Sequence, residues 1–231
     1  MKASELKAAR LKSRLNQNAT AAKLSVSQPY LTMLENGKRR LTPKLVGRAR
    51  RLFNLPPTVL PLPAAPEAGH RFCPQTFAED LSALGYRGFA YLRPRRRPKN
   101  PAEVVLEGLA QADLEARLLE ALPWLLVQYP DMDFDWLVSQ AKQRDLQNRL
   151  GFVATLAEEV AESKKSQAAE RLRHLVRTLQ KSRLAREDTL GRSSMSARER
   201  RWLEENRPEE AKNWNLLTDW RPEVLPYYGE L

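Results

Sequence analysis

The sequence is poor in the residues on which most metal sites and many enzymes depend. Its 231 residues include one cysteine, Cys73, and two histidines, His70 and His174. A single cysteine cannot form an internal disulfide, which fits a reducing compartment. A zinc site needs four closely spaced nitrogen or sulfur ligands, so we expect no metal and no cofactor. Because the sequence also lacks a nucleophile elbow and a phosphate-binding loop, we expect that the protein is not an enzyme.

Long apolar runs are missing as well. No stretch approaches the roughly 20 apolar residues that a membrane-spanning helix requires. Residues 1–15 carry charges throughout and lack the apolar core of a secretory signal peptide. We therefore expect a cytoplasmic protein without a membrane partner.

Sustained alternation of apolar and polar residues, which is typical of strands, is absent, and no internal repeat is visible. Apolar residues instead recur at helical spacing. They form three seams: Leu146, Leu150, Val153, Ala157 and Val160; Leu172, Leu175, Val176 and Leu179; and Leu114, Leu118 and Leu122. Pro123 should end or kink the last of these. The pattern predicts an all-α protein.

Acidic residues are almost missing from one part of the chain. Residues 1–60 contain 13 Lys and Arg against two acidic residues, Glu5 and Glu35, and so carry the whole formal net charge of +11. The other residues contain 26 basic and 26 acidic side chains. A basic excess confined to one segment favours a polyanionic partner for that segment, above all double-stranded DNA.

Proline divides the sequence into three zones. Residues 1–60 are expected to form a DNA-binding domain, and residues 102–231 a helical domain for dimerisation or partner binding. Residues 61–101 are expected to be a proline- and arginine-rich linker with a short helix over 76–84, ended by Gly85. Within this linker, residues 88–92 fit either a short strand or a packed segment. Residues 93–99 fit either a basic arm on DNA or a stiff solvated linker.

Capping residues divide the first zone into short helices. Ser4 should begin a helix that runs to about Leu15, and Asn16 should begin the second. Ser27 should begin the third, with Pro29 in its first turn. That helix should end at Asn36-Gly37, and a fourth, Leu45 to Leu52, should be closed by Asn54. Two short helices joined by a tight turn, the second opening on small polar residues, are typical of a helix-turn-helix.

Three motifs carry a family resemblance in this zone. They are Leu15-Asn16-Gln17, Val26-Ser27-Gln28-Pro29-Tyr30-Leu31 and Leu34-Glu35-Asn36-Gly37-Lys38. Together they resemble the lambda-repressor-like (Cro/cI, XRE) family of helix-turn-helix domains over about residues 4–58. The resemblance implies a sequence-specific DNA-binding transcriptional regulator of bacterial or phage type.

The resemblance also implies roles for individual residues. Base-contacting positions correspond to Gln28, Pro29, Tyr30, Thr32 and Met33. An amide at position 28 can pair with both N6 and N7 of adenine. Phosphate-contacting positions correspond to Asn16, Gln17, Ser27, Asn36, Lys38, Arg39 and Arg40.

Three residues depart from the family pattern. Thr20 stands where the family usually has leucine, and Ser25 where it usually has a turn glycine. If Ser25 adopts the left-handed conformation, it does so at a conformational cost that glycine would avoid. Pro29 replaces a residue that often contacts a base, so specificity should rest more on Gln28, Tyr30 and Met33.

The third zone offers less specific signals. The segment Gln147-Asn148-Arg149-Leu150-Gly151-Phe152 resembles abortive-infection-type antitoxin regulators, but the pattern of these residues favours a buried helical seam with Gly151 allowing close packing. Asp131, Asp133 and Asp135 begin like a calcium loop, but Trp136 and Lys142 stand where that loop needs glycine and glutamate. We expect helix capping by Asp133 instead.

The sequence as a whole predicts a DNA-binding transcriptional regulator, acting as a homodimeric repressor. One alternative is an antitoxin that represses its own operon through residues 1–60 and neutralises a toxin, or binds another protein, through residues 102–231. A second alternative is an enzyme with a DNA-targeting domain, against which the missing catalytic residues argue.

Overall fold

The computed structural model describes residues 1–63, 72–92 and 97–225. The chain divides into two units, Met1–Pro66 and Glu67–Leu231. Thirteen α-helices lie in the described ranges, and strands are limited to two pairs of residues. The all-α prediction is therefore confirmed. Within the described ranges, no helix has both the length and the apolar character needed to cross a bilayer.

Four helices and a 3-10 turn form the first unit. They are α1 (Ala3–Lys12), α2 (Gln17–Leu24), α3 (Gln28–Glu35), α4 (Pro43–Phe53) and the turn Pro57–Val59. Side chains from all four helices build one apolar core: Leu6, Ala21, Leu24, Leu31, Leu34, Leu45 and Ala49. Since short helices are marginal alone, this shared core stabilises them.

Local capping explains where most of these helices begin and end. The side chains of Asn16, Ser27 and Thr42 accept hydrogen bonds from backbone N–H groups in the first turns of α2, α3 and α4. Asn54 closes α4 in the left-handed conformation. The prediction for α1 is wrong at both ends: Lys2, not Ser4, precedes the helix, and it stops at Lys12.

The second unit is made of shorter helices around one long one. Its helices are α5 (Pro74–Ala83), α6 (Pro101–Leu109), α7 (Ala116–Leu119), α8 (Ala121–Gln128), α9 (Phe134–Lys142), α10 (Gln147–Ser163), α11 (Ala168–Gln180), α12 (Ala197–Asn206) and α13 (Glu209–Asn213). Two 3-10 turns, Arg87–Phe89 and Pro222–Val224, add to them. Strand β1 (Asp188–Thr189) pairs in parallel with β2 (Leu216–Leu217).

Helix α10 is the central element of this unit. It packs most extensively against α11 and also against α8. All five residues of the predicted seam, Leu146, Leu150, Val153, Ala157 and Val160, are at most 7% exposed. The seam is therefore buried within this chain and leaves no apolar surface for a contact with a second copy.

Residues expected in the linker contribute to this core. Helix α5 begins two residues before its predicted start, and Phe77 and Leu81 on it are fully buried. Residues 87–89 form a 3-10 turn with Phe89 buried, so the packed-segment alternative for residues 88–92 holds and the strand does not. This differs from a linker that spans 61–101, because Phe77, Leu81 and Phe89 pack into the second unit.

Two further local predictions have clear outcomes. Asp133 caps α9 by accepting a hydrogen bond from the backbone N–H of Trp136, as predicted. Pro123 lies in the first turn of α8. Its ring is incompatible with a continuous helix from α7, since it would meet the carbonyl four residues earlier.

Candidate nucleic-acid interface

The turn between α2 and α3 is three residues long and begins with a left-handed residue. Ser25 ends α2 at φ +57° and ψ +49°. Ser27 then caps α3, and its Oγ accepts the backbone N–H of Tyr30 at 3.4 Å. Asn16 caps α2 in the same way through the N–H of Ala19 at 2.7 Å. The backbone thus adopts the tight helix-turn-helix bend even though serine stands at the position that glycine would occupy without strain.

Four of the five predicted base-contacting residues share one side of α3. Pro29 is exposed, and Gln28, Thr32 and Met33 are half-exposed. The opposite side carries Leu31 and Leu34, both buried, and Glu35 is buried at the C-terminal end of the helix.

Tyr30 lies at the edge of this outward side. Its ring is half-buried and packs against the apolar core of the first unit. With 3.6 residues per turn, it lies about 160° around the helix from Gln28 and Thr32 but only about 60° from Met33. Tyr30 is therefore a neighbour of Met33 and is remote from the side chains of Gln28 and Thr32.

A hydrogen-bonded cluster fixes the side chain of Gln28. Its Nε2 donates to Oε1 of Gln17 at 2.8 Å and to Oγ1 of Thr32 at 3.1 Å. Oγ1 of Thr32 also lies 3.2 Å from Oε1 of Gln17. None of the hydrogen bonds found among the described residues uses Oε1 of Gln28. Its carbonyl can therefore accept from an incoming donor, and an N–H is freed when the bond to Thr32 opens.

A buried ion pair lies on the core side of this cluster and contacts it through Gln17. Nε and Nη2 of Arg10 donate to the two carboxylate oxygens of Glu35 at 2.6 and 3.0 Å, which is a bidentate arrangement. Nε2 of Gln17 donates to Oε2 of Glu35 at 3.0 Å. The contacts thus run without interruption from Arg10 in the interior, through Glu35 and Gln17, to Gln28 at the surface.

The electrostatics keep the Glu35 carboxylate charged. Burial by itself would raise the pKa of Glu35, but hydrogen bonds from Arg10 and Gln17 outweigh burial and leave the pKa below its ordinary value. An ionised Glu35 accepts hydrogen bonds and cannot donate one, so Gln17 must present its N–H to it and its carbonyl to Gln28.

Sequence reasoning missed Arg10 and Glu35 as parts of the site. Their signal was available, because each occupies a position in a helix where the apolar pattern points inward. Arg10 follows Leu6 by four residues, and Glu35 follows Leu31 by four residues. Two opposite charges on inward faces of neighbouring helices indicate a buried pair.

The predicted phosphate-contacting residues lie at two places. Asn16, Gln17 and Ser27 are at the N-termini of α2 and α3, where unpaired backbone N–H groups favour an anion. Asn36, Lys38, Arg39 and Arg40 follow α3, and all four are exposed. The backbone N–H of Lys38 is bonded to the carbonyl of Met33 at 2.9 Å, which holds this loop against the end of α3. Within the described ranges, Lys38, Arg39 and Arg40 form no ion pair.

Comparison with known proteins agrees with this geometry. A helix-turn-helix family model matches residues 6–60. The first unit is therefore a lambda-repressor-like helix-turn-helix domain, which is a DNA-binding domain of transcriptional regulators. Searches of curated proteins and of solved structures gave no match.

The other candidate residues have structural roles or lie outside the described ranges. Residues 93–96 of the basic segment and His70 belong to the second group. Lys99 is 2.8 Å from a carboxylate oxygen of the buried Asp80 and 2.9 Å from one of Glu107, so its charge is already paired. Among the described residues, no three His, Cys, Asp or Glu side chains are grouped to hold a metal ion.

The segment that resembles antitoxin regulators is part of the interior. All residues from Gln147 to Phe152 are buried. Asn148 exchanges two hydrogen bonds with the backbone of Leu184, and Arg149 donates two to Asp188 and others to the carbonyls of Leu109 and Gln111. These contacts connect loops that are distant in the sequence of the same chain.

Proposed function

We propose that the protein is a sequence-specific transcriptional regulator that represses transcription as a dimer. The observation that carries the proposal is the outward side of α3, where the amide of Gln28 is held in place by Gln17 and Thr32. A pre-positioned amide on a helix narrow enough for the major groove can bind the N6 and N7 edge of adenine. The protein acts by binding and not by catalysis.

The apolar side chains beside Gln28 restrict the sequence that is bound. Pro29 and Met33 are one helical turn apart and present no hydrogen-bonding group to a base. They fit the 5-methyl group of thymine, which is the apolar feature of the major groove. We propose that each half-site combines an adenine contacted by Gln28 with neighbouring thymines.

Groups that can bind phosphate lie at both ends of α3. Lys38, Arg39 and Arg40 are exposed at the far end of α3, and the N-termini of α2 and α3 lie at its other end. Phosphates on the two sides of the groove can therefore be bound at once, which sets the register of α3. One such domain covers a half-site, and doubling by a two-fold axis gives the affinity that regulation needs.

Selection of binding sites from random duplex DNA tests the proposal. The full-length protein should enrich a motif of two related half-sites whose centres are about one helical turn apart, roughly 10 base pairs. Enrichment of no motif above the starting pool would show that the protein does not bind a defined sequence. The control is a variant with alanine at positions 28, 29, 32 and 33 of α3. It should enrich no motif above the starting pool.

A further inference from the structure

Helix α12 contributes few side chains to its own unit. Of its ten residues, Leu203 alone is buried, and Trp202 is 52% exposed. Its inner side also carries Glu199, which pairs with Arg192, and Arg200, which pairs with Glu187. With 3.6 residues per turn, the opposite side carries Arg198, Arg201, Trp202, Glu204 and Glu205. We call these five residues the outer face of α12.

The outer face has its charges in two blocks. Arg198 and Arg201 lie before Trp202, and Glu204 and Glu205 lie after it; all four are exposed. Within the described part of the chain, none of the four has an ion-pair or hydrogen-bond partner for its side chain. A tryptophan between unpaired charges resembles the composition of protein interaction hot spots, in which Trp and Arg are enriched.

The order of these charges is unfavourable for the helix itself. The helix dipole favours acidic residues near the N-terminus and basic residues near the C-terminus, and α12 has the reverse order on its outer face. Arg201 and Glu205 are four residues apart, but in the less favourable orientation for an intrahelical pair. The arrangement is therefore not explained by the stability of the isolated helix.

We propose that α12 binds α12 of a second copy of this chain, antiparallel, about a two-fold axis between residues 201 and 202. The basic half of each helix then lies against the acidic half of the other. Arg198 lies opposite the partner's Glu205, Arg201 is within reach of the partner's Glu204, and Trp202 packs against the partner's Trp202. The face is self-complementary, as a two-fold interface requires. This rests on the proposed dimeric regulator and names the surface that makes it dimeric.

The size of the surface sets the strength of the dimer. Ten residues of helix span about 15 Å, so one helix pair falls below the roughly 1,200 Å² of standard interfaces and belongs with weak, reversible ones. Dimers should form at tens to hundreds of micromolar and dissociate at high salt, since exposed ion pairs are screened. On DNA, the two half-sites hold the copies together and favour the same contact.

Sedimentation equilibrium of the full-length protein without DNA, over about 5 to 500 µM, tests the proposal through a charge exchange. Arg198→Glu and Glu205→Arg each place like charges opposite one another and should weaken dimerisation at least about tenfold. The double variant Arg198→Glu with Glu205→Arg restores opposite charges across the axis and should dimerise within about threefold of the wild type. Lys181→Glu, at an exposed position just after α11, changes the net charge by the same amount as Arg198→Glu and should not change dimerisation.

Three results would overturn the proposal. The first is a wild-type protein that stays monomeric over the whole range, and the second is a double variant as weak as either single variant. The third is a dimer that persists in Trp202→Ala and in Arg198→Glu, which would assign dimerisation to another surface. Binding-site selection with Arg198→Glu separates these results from a failure of the proposed function, because an intact helix-turn-helix domain should still enrich a half-site.

Discussion

At the scale of single residues, Thr20 buries a hydroxyl group in the core of the helix-turn-helix domain. The residue is fully buried, and its Oγ1 has no hydrogen-bond partner among the residues that the structure describes. A buried polar group without a partner loses its hydration and gains nothing in return. The site has the shape of a valine, since Thr and Val differ only by a hydroxyl in place of a methyl group.

Thr20→Val should therefore stabilise the first unit by about 1 kcal/mol or more. Hydrogen exchange of the most protected amides in residues 1–63 measures this change in the full-length protein. Thr42→Val is the matched control, because Oγ1 of Thr42 accepts the N–H of Leu45 at 3.3 Å and its loss should destabilise α4 by about 0.5–2 kcal/mol. Equal destabilisation by both variants would show that the Thr20 hydroxyl has a favourable interaction.

The sequence predicted where helices begin better than it predicted the contacts in the core. Asn16, Ser27 and Asp133 cap helices as expected, because a cap depends on a few neighbouring residues. The ion pair of Arg10 with Glu35 joins residues 25 positions apart in the sequence. The apolar pattern indicates that both residues point inward, but their pairing depends on how the helices pack, which short-range patterns do not determine.

At the scale of elements, α10 shows how a glycine positions a neighbouring chain segment. Gly151 lies where the fully buried ring of Trp214 crosses the helix, and a Cβ built at Gly151 would overlap that ring. Nε1 of Trp214 donates to Oγ1 of Thr155, one turn further along α10, at 3.0 Å. The expected close packing at Gly151 is thus present, with a partner that the sequence alone did not identify.

Gly151→Ala should destabilise the second unit by about 1–3 kcal/mol, because the ring or the helix must shift to admit the methyl group. Gly47→Ala is the control for the added methyl group, since no atom of the described residues lies within 4 Å of a Cβ at Gly47 in α4. Because Gly47 belongs to the first unit, its expected stabilisation of about 0.5–1 kcal/mol is measured by hydrogen exchange of residues 1–63. Thermal unfolding followed by tryptophan fluorescence reports on the second unit, because all five tryptophans lie after residue 66. A Gly151→Ala protein as stable as the wild type would contradict the packing.

The periodicity of α10 predicted its burial but not its partner. The seam at residues 146, 150, 153, 157 and 160 indicated an apolar face, and the structure buries all of it against helices of the same protomer. A seam is equally compatible with an internal or an intermolecular neighbour, because both remove the same surface from water. The outer face of α12 is short and mostly polar, so the spacing of apolar residues does not indicate it.

At the scale of the whole molecule, the excess positive charge is confined to the part of the chain that forms the helix-turn-helix domain. The first 60 residues carry a net charge of +11, and the others carry none. The helix-turn-helix domain lies within the charged part. The division of charge, the all-α class and the outward placement of Gln28, Thr32 and Met33 could all be predicted from the sequence. The packing of the half-buried Tyr30 ring against the core could not, because it depends on which side of α3 packs against α1 and α2.

The distinction between base contacts and phosphate contacts in the first unit is open to a direct measurement. The selected DNA site is titrated with wild-type protein, Gln28→Ala and Arg39→Ala at two salt concentrations, beside an unrelated duplex. Gln28→Ala should lose about 1–3 kcal/mol on the selected site and relax one base pair per half-site. Its affinity for the unrelated duplex and its salt dependence should stay unchanged, because no charge is removed.

Arg39→Ala should behave in the opposite way in the same titrations. It should weaken binding to both duplexes and reduce the slope of log affinity against log salt by about one for each phosphate that a protomer no longer binds. If instead Gln28→Ala leaves the preferred sequence unchanged, or lowers affinity for both duplexes equally, α3 does not contact bases through Gln28 and the proposed interface is wrong.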